Sequence, residues 1–230
     1  MKRYATYRRQ AAPSLWAPLF AIGITLFTVE AAEAQQGRTW DFDMNKVDEA
    51  PEGFSFGRTG TGRMGRWLVR VEKGAPSGTN VLAQLDNDPM DVRFPVAVAN
   101  EPRLRDLRLS VRCKPVSGTV DQACGLVVRY QDENNYYLTR ANALEQNVRF
   151  YKVVNGNRQQ LASWDGSVIS EVWHELRVDA QADHFTVFWD GQPVLNVRDQ
   201  VFSEAGNLGV WTKADSITYF DDLHVEPLGS

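Results

Sequence analysis

The sequence predicts an all-β domain, a sandwich of two antiparallel sheets. Three observations predict it. Short runs rich in Val, Leu, Phe, Tyr and Trp recur along the chain, bounded by turn residues, and such runs read as strands. The turns carry the expected chemistry: Asn155-Gly156-Asn157 and Asp190-Gly191 mark tight hairpins, because Asn and Gly accept positive φ. Side chains alternate along the best-defined run: His174, Leu176, Val178 and Ala180 share one face, while Trp173, Glu175, Arg177 and Asp179 share the other. One dry face and one wet face is the pattern of an antiparallel sheet packed on one side.

The elements follow in chain order. Lys2, Arg3, Arg8 and Arg9 form a basic start, Leu15 to Val29 is an apolar run, and Ala32-Glu33-Ala34 places small residues where a signal peptidase reads them. That order is expected of a secretory signal peptide over residues 1–34, cleaved before Gln35. The run of about fifteen residues is shorter than the roughly 20 that a spanning helix needs, and no later segment is apolar enough to cross a membrane. The expectation is a secreted or periplasmic protein with a single domain over residues 35–230. Without the leader's four basic and two acidic side chains, the net charge moves from −4 to −6. No basic block remains, which argues against a nucleic-acid partner.

Thr39-Trp40 with Asp41-Phe42-Asp43 reads as the first strand, and the Gly-rich stretch 43–66 as long loops. Strands are then expected at Trp67–Val71, Val81–Leu85, Leu104–Lys114, Gly125–Tyr130, Asn135–Ala141, Val148–Val154, Gln160–Trp164, Trp173–Ala180, Phe185–Trp189, Pro193–Val197, Gly206–Thr212 and Ile217–Val225. Asp86 to Asp91, with Pro89, reads as a loop. The only cysteines, Cys113 and Cys124, flank a turn centred on Ser117-Gly118. In an exported chain they are expected to pair as a disulfide; two buried thiols are the alternative. Two Cys and three scattered His show no zinc-ligand spacing.

Five segments together resemble the concanavalin A-like lectin/glucanase superfamily: GLVVRYQDENNYYLTRANALEQNVRFYKVVNGNRQQLAS from Gly125, EVWHELRV from Glu171, FTVFWDGQPVLNV from Phe185, GNLGVWTKADSITYFDDLHV from Gly206, and SGTNVLAQ from Ser77. Within that superfamily they look most like the bacterial 3-keto-disaccharide hydrolase domain. The resemblance implies a jelly-roll sandwich whose concave sheet is lined for a glycan. It also implies a hydrolase acting on 3-keto-glycosides, with a non-catalytic glycan-binding or interaction module as the alternative. A third reading is an interaction domain with no sugar ligand.

Retaining glucanases of this superfamily carry paired carboxylates on one strand, about 5 Å apart. Neither Glu171, Glu175 and Asp179 nor the 85–91 loop reproduces that spacing. A two-residue turn at Asp132-Glu133 would place Arg129 opposite Tyr136, and alternation would add Arg140 and Asn142 to the same side. Guanidinium groups and an amide can hydrogen-bond vicinal hydroxyls or a carboxylate, and a phenol can pack on a sugar ring. The bland alternative is an exposed convex face. In the keto-glycoside reading, Glu145 in the following turn is the base that removes the acidified C2 proton, and Arg129 or Arg140 steadies the enolate. No redox cofactor is required. Trp173 and the trio Trp211, Lys213 and Asp215 are further substrate-binding candidates; Trp189, alternating with Phe185 and Val187, belongs to the core. The superfamily also implies a structural Ca²⁺, for which Asp43, Asp221 and Asp222 are candidate ligands. The alternative there is a capping hydrogen bond between terminal strands.

Overall fold

Strands with one apolar face need a second apolar face to bury it against, and fifteen strands among the described residues meet this need as two facing sheets. The computed structural model describes residues 1–5 and 37–229. All of the expected signal peptide beyond its first five residues, its cleavage site included, lies outside them. In chain order the strands are β1 (Arg38–Trp40), β2 (Phe54–Gly60), β3 (Trp67–Val71), β4 (Asn80–Gln84), β5 (Arg93–Leu104), β6 (Leu107–Ser117), β7 (Ala123–Asp132) and β8 (Asn135–Asn142). They continue as β9 (Asn147–Val154), β10 (Asn157–Asp165), β11 (His174–Gln181), β12 (His184–Trp189), β13 (Gln192–Arg198), β14 (Gly206–Trp211) and β15 (Ile217–Pro227). The described residues contain no helix, and so none long and apolar enough to cross a membrane.

One sheet has the order β13-β12-β11-β6-β15-β4-β3, with β1 paired to β15; the other has the order β10-β9-β8-β7-β14-β5-β2. All the pairings are antiparallel: the two-sheet sandwich expected from the pattern, and the jelly-roll implied by the resemblance, is the fold. Between the sheets lies the main core. Leu176, Val178 and Ala180 of β11 point into it, with Trp189, Phe185, Tyr137, Phe150 and Phe220. Glu175, Arg177 and Asp179 face out.

Several expected boundaries change, and the first strand stops at Trp40 instead of running to Asp43, Phe42 having positive φ. β2 lies inside the stretch read as loop, and Leu104–Lys114 divides into the end of β5 and the start of β6 around Arg105-Asp106. The body of β5 carried no strand expectation. Pro95 and Pro102 interrupt it, and Arg93 to Ala99 are buried on both faces, so it shows no polar alternation.

Cys113 and Cys124 are joined by a disulfide, with Cα atoms 6.3 Å apart. The partners are not opposite residues of a hairpin: Cys113 is on β6 of one sheet and Cys124 on β7 of the other, so the bond ties the two layers together. A cross-link closing a loop this short restricts the unfolded chain by about 3 kcal/mol. The double substitution Cys113→Ala/Cys124→Ala is expected to lower unfolding stability by that amount, as read by urea titration.

Candidate functional site

On β8, alternation places Tyr136, Leu138, Arg140 and Asn142 on the face of the seven-stranded sheet that points away from the main core. Tyr137 and Ala141 enter that core. Three of the four residues expected on one face therefore share it. Arg129 does not. Pairing is regular up to Val128↔Tyr137 and resumes at Asp132↔Asn135, so Arg129, Tyr130 and Gln131 stand opposite Tyr136 alone. This bulge gives Arg129 a φ of 49° and turns its side chain into the end of the sandwich. There Nε donates to Arg105 O (2.9 Å), Nη1 to Phe202 O (2.9 Å) and Nη2 to Ala182 O (2.6 Å), with the guanidinium 5.0 Å over the Phe185 ring. Arg129 is fully buried and structural.

The outer face of this sheet is rolled. Thr59 on edge strand β2 reaches Tyr136 on β8 across three intervening strands. The Tyr136 hydroxyl donates to Thr59 Oγ1 (2.7 Å), which donates to Glu133 O. Phe94, Val96, Val98, Val127, Tyr136, Leu138, Tyr151, Val153 and Trp211 fill the roll as a second apolar cluster. Burial pushes the Tyr136 phenol up to about 12, in spite of its hydrogen bonds, so it is a neutral donor at physiological pH. Gly125 permits the close packing: a Cβ there would sit 3.1 Å from the Trp211 ring and 2.9 Å from Thr139 O. Trp211 itself is fully buried, stacked 5.6 Å from Phe94, and belongs to the floor of the roll.

One end of the roll is polar. Arg140 Nη2 donates to Glu145 Oε2 (2.8 Å) and to the Tyr151 hydroxyl (3.3 Å), and its Nη1 to Asn147 Oδ1. Arg149 lies 3.1 Å from the same Glu145 oxygen. Burial alone would raise the Glu145 pKa, but the two guanidiniums and Asn147 outweigh it and hold the carboxyl below its ordinary range. That makes Glu145 a clamped anion and a weak base. Lys213 is buried between Asp121 (2.9 Å) and Asp91, and these carboxylates keep it charged despite burial. Asn142 bonds Asp121 and caps the turn by accepting from the Leu144 and Glu145 amides.

Arg158 on β10 completes this end, and the sequence reading missed it. Its guanidinium lies 4.6 Å over Phe94, 4.7 Å over Tyr151 and 6.0 Å from Trp211. It forms no ion pair among the described residues, and its buried Nη1 has no hydrogen-bond partner. Burial lowers its pKa, with neighbouring Arg140 adding to the effect. The signal was present in the sequence: Arg158 pairs with Val153, so carrying the alternation across one more hairpin puts it on the face of Val153 and Tyr151.

The remaining candidates fall elsewhere. Trp173 precedes β11 on the other sheet, where Lys114 Nζ lies 5.4 Å over its ring, and it cannot serve this site. Asp215 makes no ion pair with Lys213 and accepts from the amides of Thr119 (2.7 Å), Val120 (3.0 Å) and Asp121 (2.9 Å) and from the Thr119 hydroxyl. Burial would raise its pKa, but these donors bring it below the ordinary carboxylate range. Its stabilisation is therefore complete above the pKa of an unfolded Asp, about 4, and is lost as pH falls through the lower folded value. Asp215→Asn is expected to lower the melting temperature at pH 7, with the gap to wild type closing on acidification below about pH 4.

Asp43, Asp221 and Asp222 gather around residues 77–80. Asp43 accepts from the Thr79 and Asn80 amides, Asp221 from Ser77 N (3.1 Å), and Asp222 from the Ser77 hydroxyl (2.7 Å). Asp221 is fully buried, and burial with the charges of Asp222 and Asp43 pushes its pKa up to about 6. None of the three has a cationic partner among the described residues, where no three acidic, His or Cys side chains converge on one metal position.

Residues 104–209 match the model of the β-xylosidase C-terminal concanavalin A-like domain. A levanase of Bacillus subtilis (strain 168) is 30% identical over 97 residues, 42% of this chain; the match spans 14% of the levanase's length. Among solved structures, the chain resembles carbohydrate-binding module CBM66 from Bacillus subtilis, with a TM-score of 0.59 and 21% identity over 76% of this chain and 95% of that one. It also resembles a β-1,3-1,4-glucanase (lichenase) from a mouse hindgut metagenome, with a TM-score of 0.55 and 14% identity over 84% of this chain and all of that one. At these identities the structural likenesses establish the concanavalin A-like fold.

Proposed function

From this concanavalin A-like fold, we propose that the polar end of the rolled face binds a saccharide and that the chain is a non-catalytic sugar-binding module acting outside the cytoplasm. The observation that carries the reading is Arg158: a guanidinium on an aromatic floor, without a counter-ion, with an unused donor. A sugar hydroxyl or carboxylate meeting the accessible side of this half-buried guanidinium would supply the partner it lacks. The levanase and β-xylosidase likenesses nominate fructans and xylans as first ligands. Calorimetry with levan, fructo-oligosaccharides, xylo-oligosaccharides and a 3-keto-glucoside tests this. Saturable binding to one of them is expected, and no binding to any at millimolar concentration overturns it.

The 3-keto-glycoside hydrolase reading needs Glu145 as base, and its clamped, acidic carboxyl is poorly suited to that task. Turnover of the 3-keto-glucoside that disappears in Glu145→Gln would restore it.

We also propose that a structural Ca²⁺ binds here with two carboxylate ligands, Asp43 and one of Asp221 and Asp222, the remaining ligands being main-chain carbonyls and water. A buried carboxyl among like charges favours such an ion. Saturating Ca²⁺ is expected to raise the melting temperature by roughly 5–10 °C, as ligand linkage at ~100-fold over Kd implies. EDTA should reverse the rise, and Asp43→Asn should remove it.

A further inference from the structure

The rolled face has a second opening, between edge strand β2 and the β7–β8 turn. Ser55, Gly57, Asn100, Tyr130, Glu133 and Asn207 line this cleft of about 400 Å³, within the size range of small-ligand sites. We infer that it is a separate binding site for an uncharged sugar ring.

The cleft owes its space to Gly57. A Cβ at this position would lie 3.5 Å from the Tyr130 hydroxyl and 3.6 Å from Glu133 Oε2, so the missing side chain leaves free space beside both polar atoms. Tyr130 is half-buried, and its ring is backed by Tyr136 in a stack 5.5 Å apart. Burial, with the charges of Tyr136, Glu133 and Asp132 nearby, pushes the phenol pKa up, so its hydroxyl is a donor. The neighbouring Asp132 is already engaged by the Asn134 amide and the Asn135 side chain. The Glu133 carboxylate has no ion pair or hydrogen bond among the described residues; only its main-chain oxygen is used. Ser55 donates to Asn100 Oδ1 (2.7 Å), and Asn207 Nδ2 donates to Asn100 O (2.9 Å), so the rim is fixed.

This set discriminates between ligands. No Lys or Arg lines the cleft, and the two carboxylates repel an anion. An apolar group would leave Glu133 desolvated and unpaired. A neutral ring can donate hydroxyls to Glu133, accept from Tyr130, and lay its carbon-bound hydrogens on the tyrosine. The chemistry is opposite to that of the Arg158 end, which is rich in cations. Only the choice of a sugar over another polyol rests on the function proposed above.

The test is an amide chemical-shift titration of the full chain with xylobiose and, separately, methyl β-D-fructofuranoside. Saturable shifts are expected at Gly57, Tyr130 and Glu133. The Gly57 backbone lies outside the left-handed region, and a Cβ there would meet Val96, Tyr130 and Glu133 at 3.4, 3.5 and 3.6 Å, so Gly57→Ala fits the fold; its methyl takes the space beside the two polar atoms and should weaken or abolish these shifts. Glu133→Gln, on an exposed side chain, should weaken binding roughly tenfold by removing a charge-assisted hydrogen bond. Shifts near Arg158 should persist in both variants. The inference is overturned if neither sugar moves these amides, if affinity is unchanged in both variants, or if Ca²⁺ alone produces the shifts. Loss of response at Arg158 with the cleft still responding would sink the earlier reading and leave this one standing.

Discussion

Arg129→Ala is expected to cost about 3–5 kcal/mol of stability, the range for removing a buried, hydrogen-bonded charge, and to leave sugar affinity unchanged in the protein that remains folded. The side chain donates to three main-chain carbonyls from separate segments, at Arg105, Phe202 and Ala182, and stacks on Phe185. Its removal leaves three main-chain acceptors without their donor and Asp106 without its ion-pair partner, 3.5 Å away, and opens a cavity beside a core aromatic ring. For a chain of this size the loss corresponds to a fall in melting temperature on the order of 10 °C. Arg129→Lys should recover little, because one ammonium cannot reach three carbonyls held in a planar fork. A melting temperature within a degree or two of wild type, or a selective loss of binding, would contradict this assignment.

Arg158→Ala is expected to have the opposite profile. Binding should fall by about 100-fold or more, a loss on the order of 3 kcal/mol, typical of a central charged contact. Stability should stay level or rise slightly, because the substitution removes a half-buried cation that has no counter-ion. Calorimetry and a thermal melt on the same sample separate the two quantities. Unchanged affinity with a clear fall in stability would make Arg158 a structural lid over Phe94 and Tyr151. Arg140→Ala is a poorer probe, because it also releases Glu145 and Asn147.

The fold was legible wherever one face of a strand is wet. β11 declares itself through Leu176, Val178 and Ala180 against Glu175, Arg177 and Asp179. Legibility failed where the seven-stranded sheet rolls. Arg93 to Ala99 of β5 are buried on both faces, so the period-two signal vanishes, and β2 carries Gly57, Arg58 and Gly60 in place of a hydrophobic run. The site was partly legible for the same reason. Alternation along one strand placed Tyr136, Arg140 and Asn142 together. Extending it through the turn misplaced Arg129 alone: Gly125↔Arg140 to Val128↔Tyr137 keep the expected register, but the turn falls at Glu133-Asn134 instead of Asp132-Glu133, and the bulge over Arg129–Gln131 puts Arg129 at positive φ and takes its side chain off the sheet face. Nothing local to Asp215 reveals that its partners are amides roughly 95 positions away. The clamp on Glu145 is likewise invisible until Arg140 and Arg149 are brought together across adjacent strands.

The contact between Thr59 and Tyr136 also limits what shape of polymer can be held. With edge strand β2 latched onto β8 at 2.7 Å, no backbone of linked rings can run straight through from one mouth to the other. Either mouth can admit a terminus or a short branch, so the number of chain ends in a preparation, rather than its mass, should govern how much protein it retains.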